Sequence, residues 1–227
     1  SPFRENCTNK KFKFDEINYC ILGNSNKPPK IALIGDSFME HYETAFNKLG
    51  KKNEFSVVNF LNCRNFENLF KKKECIDIPN LIEEKKIDKI VISYRWMHRF
   101  IDLETGLTAS KEFVELRKKN LIKYINHLNE IAEDIYLIYP IPEFEINVPR
   151  VLLMKNYLFK TEEKTFLTIN KKYFLQSNNY AFSSLNKIRN INRIFPHKQL
   201  CDEDLINGYC YSNNEDFIFY YNRNHLT

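Results

Sequence analysis

Apolar and polar positions along the chain alternate between two rhythms, and the alternation predicts the architecture. Ile31–Ile34 is a short continuous apolar run, the pattern of a strand buried on both faces. Strand-length segments follow at Phe55–Phe60, Ile90–Ser93, Ile135–Tyr139 and Arg193–Phe195. Between them the spacing turns helical. Phe38, Tyr42, Ala45, Phe46 and Leu49 fall on one face, with Gly50 placed as a C-cap. A short helix is expected near Asn80–Lys86. A long one follows Ser110, with Phe113, Leu116, Tyr124, Ile125, Leu128 and Ile131 on one face. Pro140 and Pro142 stop the fourth strand, and helices are expected at about Arg150–Lys160 and Asn170–Arg189. Strands alternating with helices predict an α/β fold, a parallel sheet covered on both faces. Residues 1–29, closed by Pro28-Pro29, read as an irregular lead-in, and residues 30–227 as one globular unit without repeats or linkers.

Composition narrows the class. The chain of 227 residues is 43% apolar, enough for one sizeable core. The mean hydropathy of −0.49 argues against a membrane protein. The longest apolar runs, around Ile135–Ile141, fall far short of the roughly 20 residues that a spanning helix needs. Ser1-Pro-Phe-Arg-Glu has neither the basic nor the apolar region of a signal peptide. The net charge of +5 comes from scattered lysines, among them Lys51-Lys52, Lys71-Lys72-Lys73, Lys85-Lys86 and Lys118-Lys119. They read as solvated faces, or as a mild bias toward anionic glycans or headgroups. No nucleic-acid-binding motif is present.

The six cysteines fall as local pairs, Cys7 with Cys20, Cys63 with Cys75, and Cys201 with Cys210. No Cys-x-x-Cys occurs, and no Cys/His spacing suits zinc. Each pair would close a loop of about a dozen residues or fewer, worth roughly 3 kcal/mol in the loop-entropy model. The pattern favours disulfides, and with them the periplasm or cell exterior, over six unrelated buried thiols.

The chemistry concentrates at Gly35-Asp36-Ser37, between the first strand and the first helix. In open parallel sheets, ligands collect at the carboxyl ends of strands. Helix-initial N–H groups there favour an anion. A serine needs a base, and five histidines compete. His41 is one turn beyond Ser37 and is expected to face solvent, and His127 is expected on a helix surface. His98 and His197 lie where they could enter a cleft. His225 follows the apolar run Phe217–Tyr221 in "YYNRNHLT".

"LIGDSFMEHY", with "NHLT" late in the chain, resembles the SGNH hydrolase and acetyltransferase superfamily. The closer likeness is to extracytoplasmic SGNH domains fused to acyltransferase-3 membrane domains in bacterial surface-glycan O-acetyltransferases. It is carried by Cys20-Ile21-Leu22-Gly23, the loop from Cys63 to Cys75, "VISYRWMHRF" at Val91–Phe100 and "PIPE" at Pro140–Glu143. Cys201, Cys210 and His225-Leu226-Thr227 complete the set, which covers essentially the whole chain.

The resemblance implies a flavodoxin-like three-layer sandwich around a five-stranded parallel sheet. It implies Ser37 as nucleophile and His225 as general base, with Asp36 as a turn and capping residue. The implied partners are a glycan acceptor and the membrane domain of the same full-length chain, which tethers this domain on the periplasmic or extracellular side of a bacterial inner membrane. The acetyl group would come ultimately from acetyl-CoA through that partner, and no cofactor or metal is implied in this domain. Two positions depart from the superfamily pattern. The Asp of its Asp-x-x-His is here Asn222, which weakens support for the base and leaves esterase activity or a silent glycan-binding role open. The Gly-x-Asn-Asp block is here Ser93-Tyr94-Arg95-Trp96, so Arg95 or Asn62 would have to serve the oxyanion. Arg95 reads equally as a salt-bridge partner, and Trp96 as a site wall or as core.

Overall fold

A computed structural model of the chain describes residues 11–14, 17–60, 73–99, 110–158, 166–204 and 208–227. Its main sheet contains the expected five parallel strands. They are β3 (Pro29–Gly35), β4 (Ser56–Phe60), β5 (Lys89–Ser93), β6 (Asp134–Ile138) and β8 (Asn192–Ile194), whereas Thr168–Asn170 (β7) belongs to a separate two-stranded sheet. Their order is β4-β3-β5-β6-β8, a doubly wound arrangement in which β3 pairs in parallel with both β4 and β5. The strand order reverses beside β3, and ligands bind at such switch points.

The lead-in is not irregular where it is described. Lys11–Phe14 (β1) and Ile17–Gly23 (β2) form an antiparallel hairpin, and β2 pairs antiparallel with β4 to extend the sheet to seven strands.

Alternate residues of each strand face opposite layers. Ala32 and Ile34 of β3 join Val58, Ile90, Ile92, Ile135 and Leu137 in the larger core. That core is closed by Ile78–Glu84 (α4), Lys111–Ile131 (α5) and Asn179–Leu185 (α8). On the other face, Ile31 and Leu33 pack with Val57 and Val91 against Met39. Met39 belongs to Ser37–Glu40 (α1), and Phe46 of Glu43–Lys52 (α2) packs beside it.

The helical register differs from the expected one at three places. The helix after Ser37 is broken at His41-Tyr42, where Tyr42 N–H closes onto the Met39 carbonyl at 3.0 Å. In α5 the buried face carries Val114 and Leu121, and Leu116 is 57% exposed. The segment 170–189 is two helices, Lys171–Ser177 (α7) and α8, divided at Asn178.

Gly50 is not a C-cap. Helix α2 runs on to Lys52 and is capped at Asn53, and Gly50 lies buried where the helix crosses Gly23. A Cβ at Gly50 would stand 2.7 Å from the Phe55 carbonyl oxygen and 2.9 Å from Gly23 Cα, both backbone atoms. Helix propensity alone would make Gly50→Ala stabilising by about 1 kcal/mol. The backbone contact reverses the sign, and a loss of about 1–3 kcal/mol is expected from overpacking, read from the urea midpoint.

Candidate active site

Strand β3 ends at Gly35, whose hydrogen stands in for a side chain that could not fit, because a Cβ there would lie 1.9 Å from the Ser93 carbonyl oxygen. The chain turns through Asp36 into α1. The Asp36 carboxylate caps the helix by accepting from Phe38 N–H at 2.9 Å. It also accepts from Arg95 N–H at 3.0 and 3.2 Å, which pins the serine turn to the end of β5. Asp36 is thus the capping residue expected of it, and Ser37 takes the first helical position.

His225 reaches the same rim from 188 positions along the chain. Its Nε2 lies 2.9 Å from Ser37 Oγ. The loop that bears it rests on an apolar cluster of Phe38, Ile141, Phe144, Val148, Leu152 and Tyr220. Polar ties fix its course. Tyr220 donates to the Pro142 carbonyl at 2.8 Å, and Phe144 N–H donates to the Arg223 carbonyl at 2.7 Å. Asn224 is buried and contacts Glu143 Oε2 at 3.5 Å.

Glu143 joins both halves of the site. It accepts from Arg95 Nε at 2.9 and 3.1 Å, and also pairs with the outer guanidinium nitrogen. The Arg95 guanidinium thus forms a salt bridge with Glu143. Trp96 is core: it is 1% exposed, donates from Nε1 to the Ile138 carbonyl at 2.7 Å, and stacks edge-on with Tyr94. Asn62 lies outside the described residues.

Asn222 sits behind the imidazole. Its Oδ1 accepts from the backbone N–H groups of Asn224 and His225, each at 2.9 Å, and these two donors orient the amide. His225 Nδ1 then faces Asn222 Nδ2 at 3.0 Å and Oδ1 at 3.2 Å, a donor and an acceptor together. Burial lowers the His225 pKa below the usual histidine value, and the nearby Arg95 charge lowers it further. Glu40, Asp36 and Glu143 oppose the shift. The imidazole is accordingly neutral at pH 7, the state a general base requires.

His41 departs from expectation. It is buried rather than solvent-facing, with its ring 5.0 Å from that of His225 in an edge-on contact and 5.0 Å from Phe38. Burial, and then the neighbouring His225, drive its pKa down to about 3, and neither ring nitrogen has a hydrogen-bond partner among the described residues. It packs as a neutral wall against one side of the His225 ring, and Tyr221 stacks on that ring at 5.4 Å. His127 is exposed beside Glu130. His197 is buried among Phe174, Phe182 and Phe195, with its pKa lowered to about 4 by burial.

A disulfide joins Cys201 and Cys210. Cys20 and Cys75 are disulfide-bonded as well, and their expected partners, Cys7 and Cys63, lie outside the described residues. Among the described residues no group of His, Cys, Asp or Glu side chains is placed to hold a metal ion, and no helix is long and apolar enough to cross a membrane.

Sequence reasoning located Ser37, His225 and Asn222, which the fold brings together. It missed Glu143, Asn224 and His41 as parts of the site. Glu143 stood in view in the "PIPE" segment, but its role depends on a loop that meets the base only in three dimensions.

Comparison with known proteins supplies the lineage. The fold is similar to that of the periplasmic domain of the lipopolysaccharide acetyltransferase from Salmonella ser. Paratyphi A. The TM-score is 0.57 at 17% identity, over 88% of this chain and 78% of that one. An alpha/beta hydrolase fold protein from Burkholderia ambifaria matches more distantly, with a TM-score of 0.31 at 12% identity over 68% of this chain and 53% of that one. An alignment 190 positions long, which covers 69% of this chain and 7% of the other protein, is 23% identical to DNA-directed RNA polymerase subunit beta'' of Oedogonium cardiacum. The model of the SGNH domain fused to AT3 domains matches residues 6–227, and the chain belongs to that family.

Proposed function

We propose that this domain moves an acetyl group through a Ser37 acyl-enzyme to a hydroxyl of a bacterial surface glycan such as lipopolysaccharide, capsule or peptidoglycan. The observation that carries the reading is the 2.9 Å contact between Ser37 Oγ and His225 Nε2 at the carboxyl end of β3. In the first step Ser37 Oγ attacks the acyl carbonyl of an acetyl ester or thioester donor. Nε2 takes the hydroxyl proton and returns it to the departing oxygen or sulfur. In the second step Nε2 takes the proton of a glycan hydroxyl, whose oxygen attacks the acetyl carbonyl. The bond to Ser37 Oγ breaks, and the serine recovers its proton. The Ser37 backbone N–H, at the first position of α1, would serve the oxyanion. The donor would be passed from the membrane acyltransferase-3 domain of the full-length chain, drawing ultimately on acetyl-CoA. That places this domain on the extracytoplasmic side, in keeping with its disulfides.

Asn222 favours a second reading, a slow acetylesterase or a glycan-binding domain with weakened catalysis. When Nδ1 carries the proton it donates to Asn222 Oδ1, and Nε2 is free to accept from Ser37. When Nε2 carries the proton, Asn222 Nδ2 donates to Nδ1, and the imidazole donates to Ser37 instead of accepting. The amide supports both tautomers, whereas a carboxylate would support only the working one.

Asn222→Asp should therefore raise kcat/KM for a chromogenic acetyl ester by at least about tenfold, given that the opposite change in a serine protease triad costs about 10⁴. The added negative charge favours imidazolium, so the acid limb of the pH profile should move to higher pH from a starting point below 6.5. An unchanged rate and limb would assign the site to a role other than catalysis. The acyl-enzyme is tested by intact-mass measurement after incubation with an acetyl donor ester. One acetyl group should be gained at Ser37, and none in Ser37→Ala.

A further inference from the structure

We propose that the acceptor lies in the cleft beside the Arg95–Glu143 pair, with a neutral pyranose ring on the face of Tyr173 and its hydroxyls shared by Arg223 and Glu145. The inference rests on the acetyl-transfer reading and adds the place and chemical class of the acceptor.

The cleft encloses about 410 Å³, within the range of small-ligand sites. It opens between the 3₁₀ turn Trp96–Arg99, the loop after β6, helix α7 and the loop of the catalytic base. His98, one of the histidines read from the sequence as able to enter a cleft, lines it. Arg95 and Glu143 form a wall shared with the catalytic machinery. Arg223, also in the lining, is two residues from His225. The cleft is thus bounded by the loop that carries His225, and neither Ser37 nor His225 is part of its lining.

Tyr173, Arg223 and Glu145 have no part in proton transfer, and structural roles do not account for them. Tyr173 is 58% exposed, and its ring has no aromatic neighbour among the described residues. A rigid, amphipathic ring at the mouth of a polar cleft suits the C–H face of a sugar. Arg223 and Glu145 are exposed, and neither forms an ion pair among the described residues. Both line the same cleft as Tyr173 and offer it hydrogen-bond donors and acceptors. The charges also select the ligand. Arg95 is neutralised by Glu143, and the formal charges of Arg223 and Glu145 cancel. A cleft with two arginines and two glutamates offers many hydrogen bonds and little net field, which fits an uncharged sugar better than a uronate.

The test titrates the Ser37→Ala protein with neutral tetrasaccharides of glucose, galactose and N-acetylglucosamine, and with tetragalacturonate, followed by calorimetry and saturation-transfer NMR. At least one neutral tetrasaccharide should bind saturably and more tightly than the uronate. Tyr173→Ala should weaken it by about tenfold, as truncation of a contacting aromatic does, with Tyr173→Phe close to the parent and Arg223→Ala weakened. The proposal is overturned if no neutral tetrasaccharide binds, if the uronate binds more tightly, or if Tyr173→Ala binds like the parent. Acetylation of Ser37 in the unmutated chain is a separate readout. Acetylation without cleft binding would reject the cleft alone, and cleft binding without acetylation would reject the transfer reading alone.

Discussion

The structure depends on one carboxylate. Glu143 holds the Arg95 guanidinium through two nitrogens, while Asp36, beside Ser37, holds the Arg95 backbone. Glu143 also contacts Asn224, next to His225. The chain Asp36, Arg95, Glu143, Asn224 therefore links the serine turn to the histidine loop, two pieces of backbone that share no covalent neighbour. Its members are mostly shielded from solvent, with Arg95 and Glu143 side chains 26% and 15% exposed. Removing one partner of such a pair strands a charge at a cost of about 3–5 kcal/mol for a fully buried case, and less here. The tie also sets electrostatics, because an unpaired Arg95 would press the His225 pKa lower still.

Around that tie, the site combines dryness with ambivalence. His41, Tyr221 and Phe38 enclose the imidazole with rings and keep it neutral. Asn222 accepts the backbone of its own loop and so shapes the turn as an Asx motif. Its amide holds the histidine in place without choosing its tautomer. Loop geometry and tautomer selection are separable jobs, and this chain keeps the first while relaxing the second.

Much of the frame was legible in the sequence because it rests on local patterns. The four apolar runs of β3, β4, β5 and β6 and the strand at Arg193 all appear within a residue or two of their expected bounds. Gly35-Asp36-Ser37 stands where strand meets helix, since a tight turn against Ser93 admits no side chain. What failed was long-range. Gly50 reads as a cap until Gly23 is brought against it, and His41 reads as exposed until the His225 loop covers it. The β1–β2 extension of the sheet is hidden because β2 pairs with β4, with β3 and two helices between them in the chain. The pairing of Ser37 with His225 was reached by resemblance, since spacing alone left several histidines in competition.

The most direct test of the central claim is the pH dependence of kcat/KM for an acetyl ester in Glu143→Gln, with the fold checked by circular dichroism and denaturant midpoint. Loss of the carboxylate should lower kcat/KM by about tenfold or more, as misplacement of a catalytic group does, and move the acid limb to lower pH. A folded variant that keeps the parent rate and the parent limb would contradict the account.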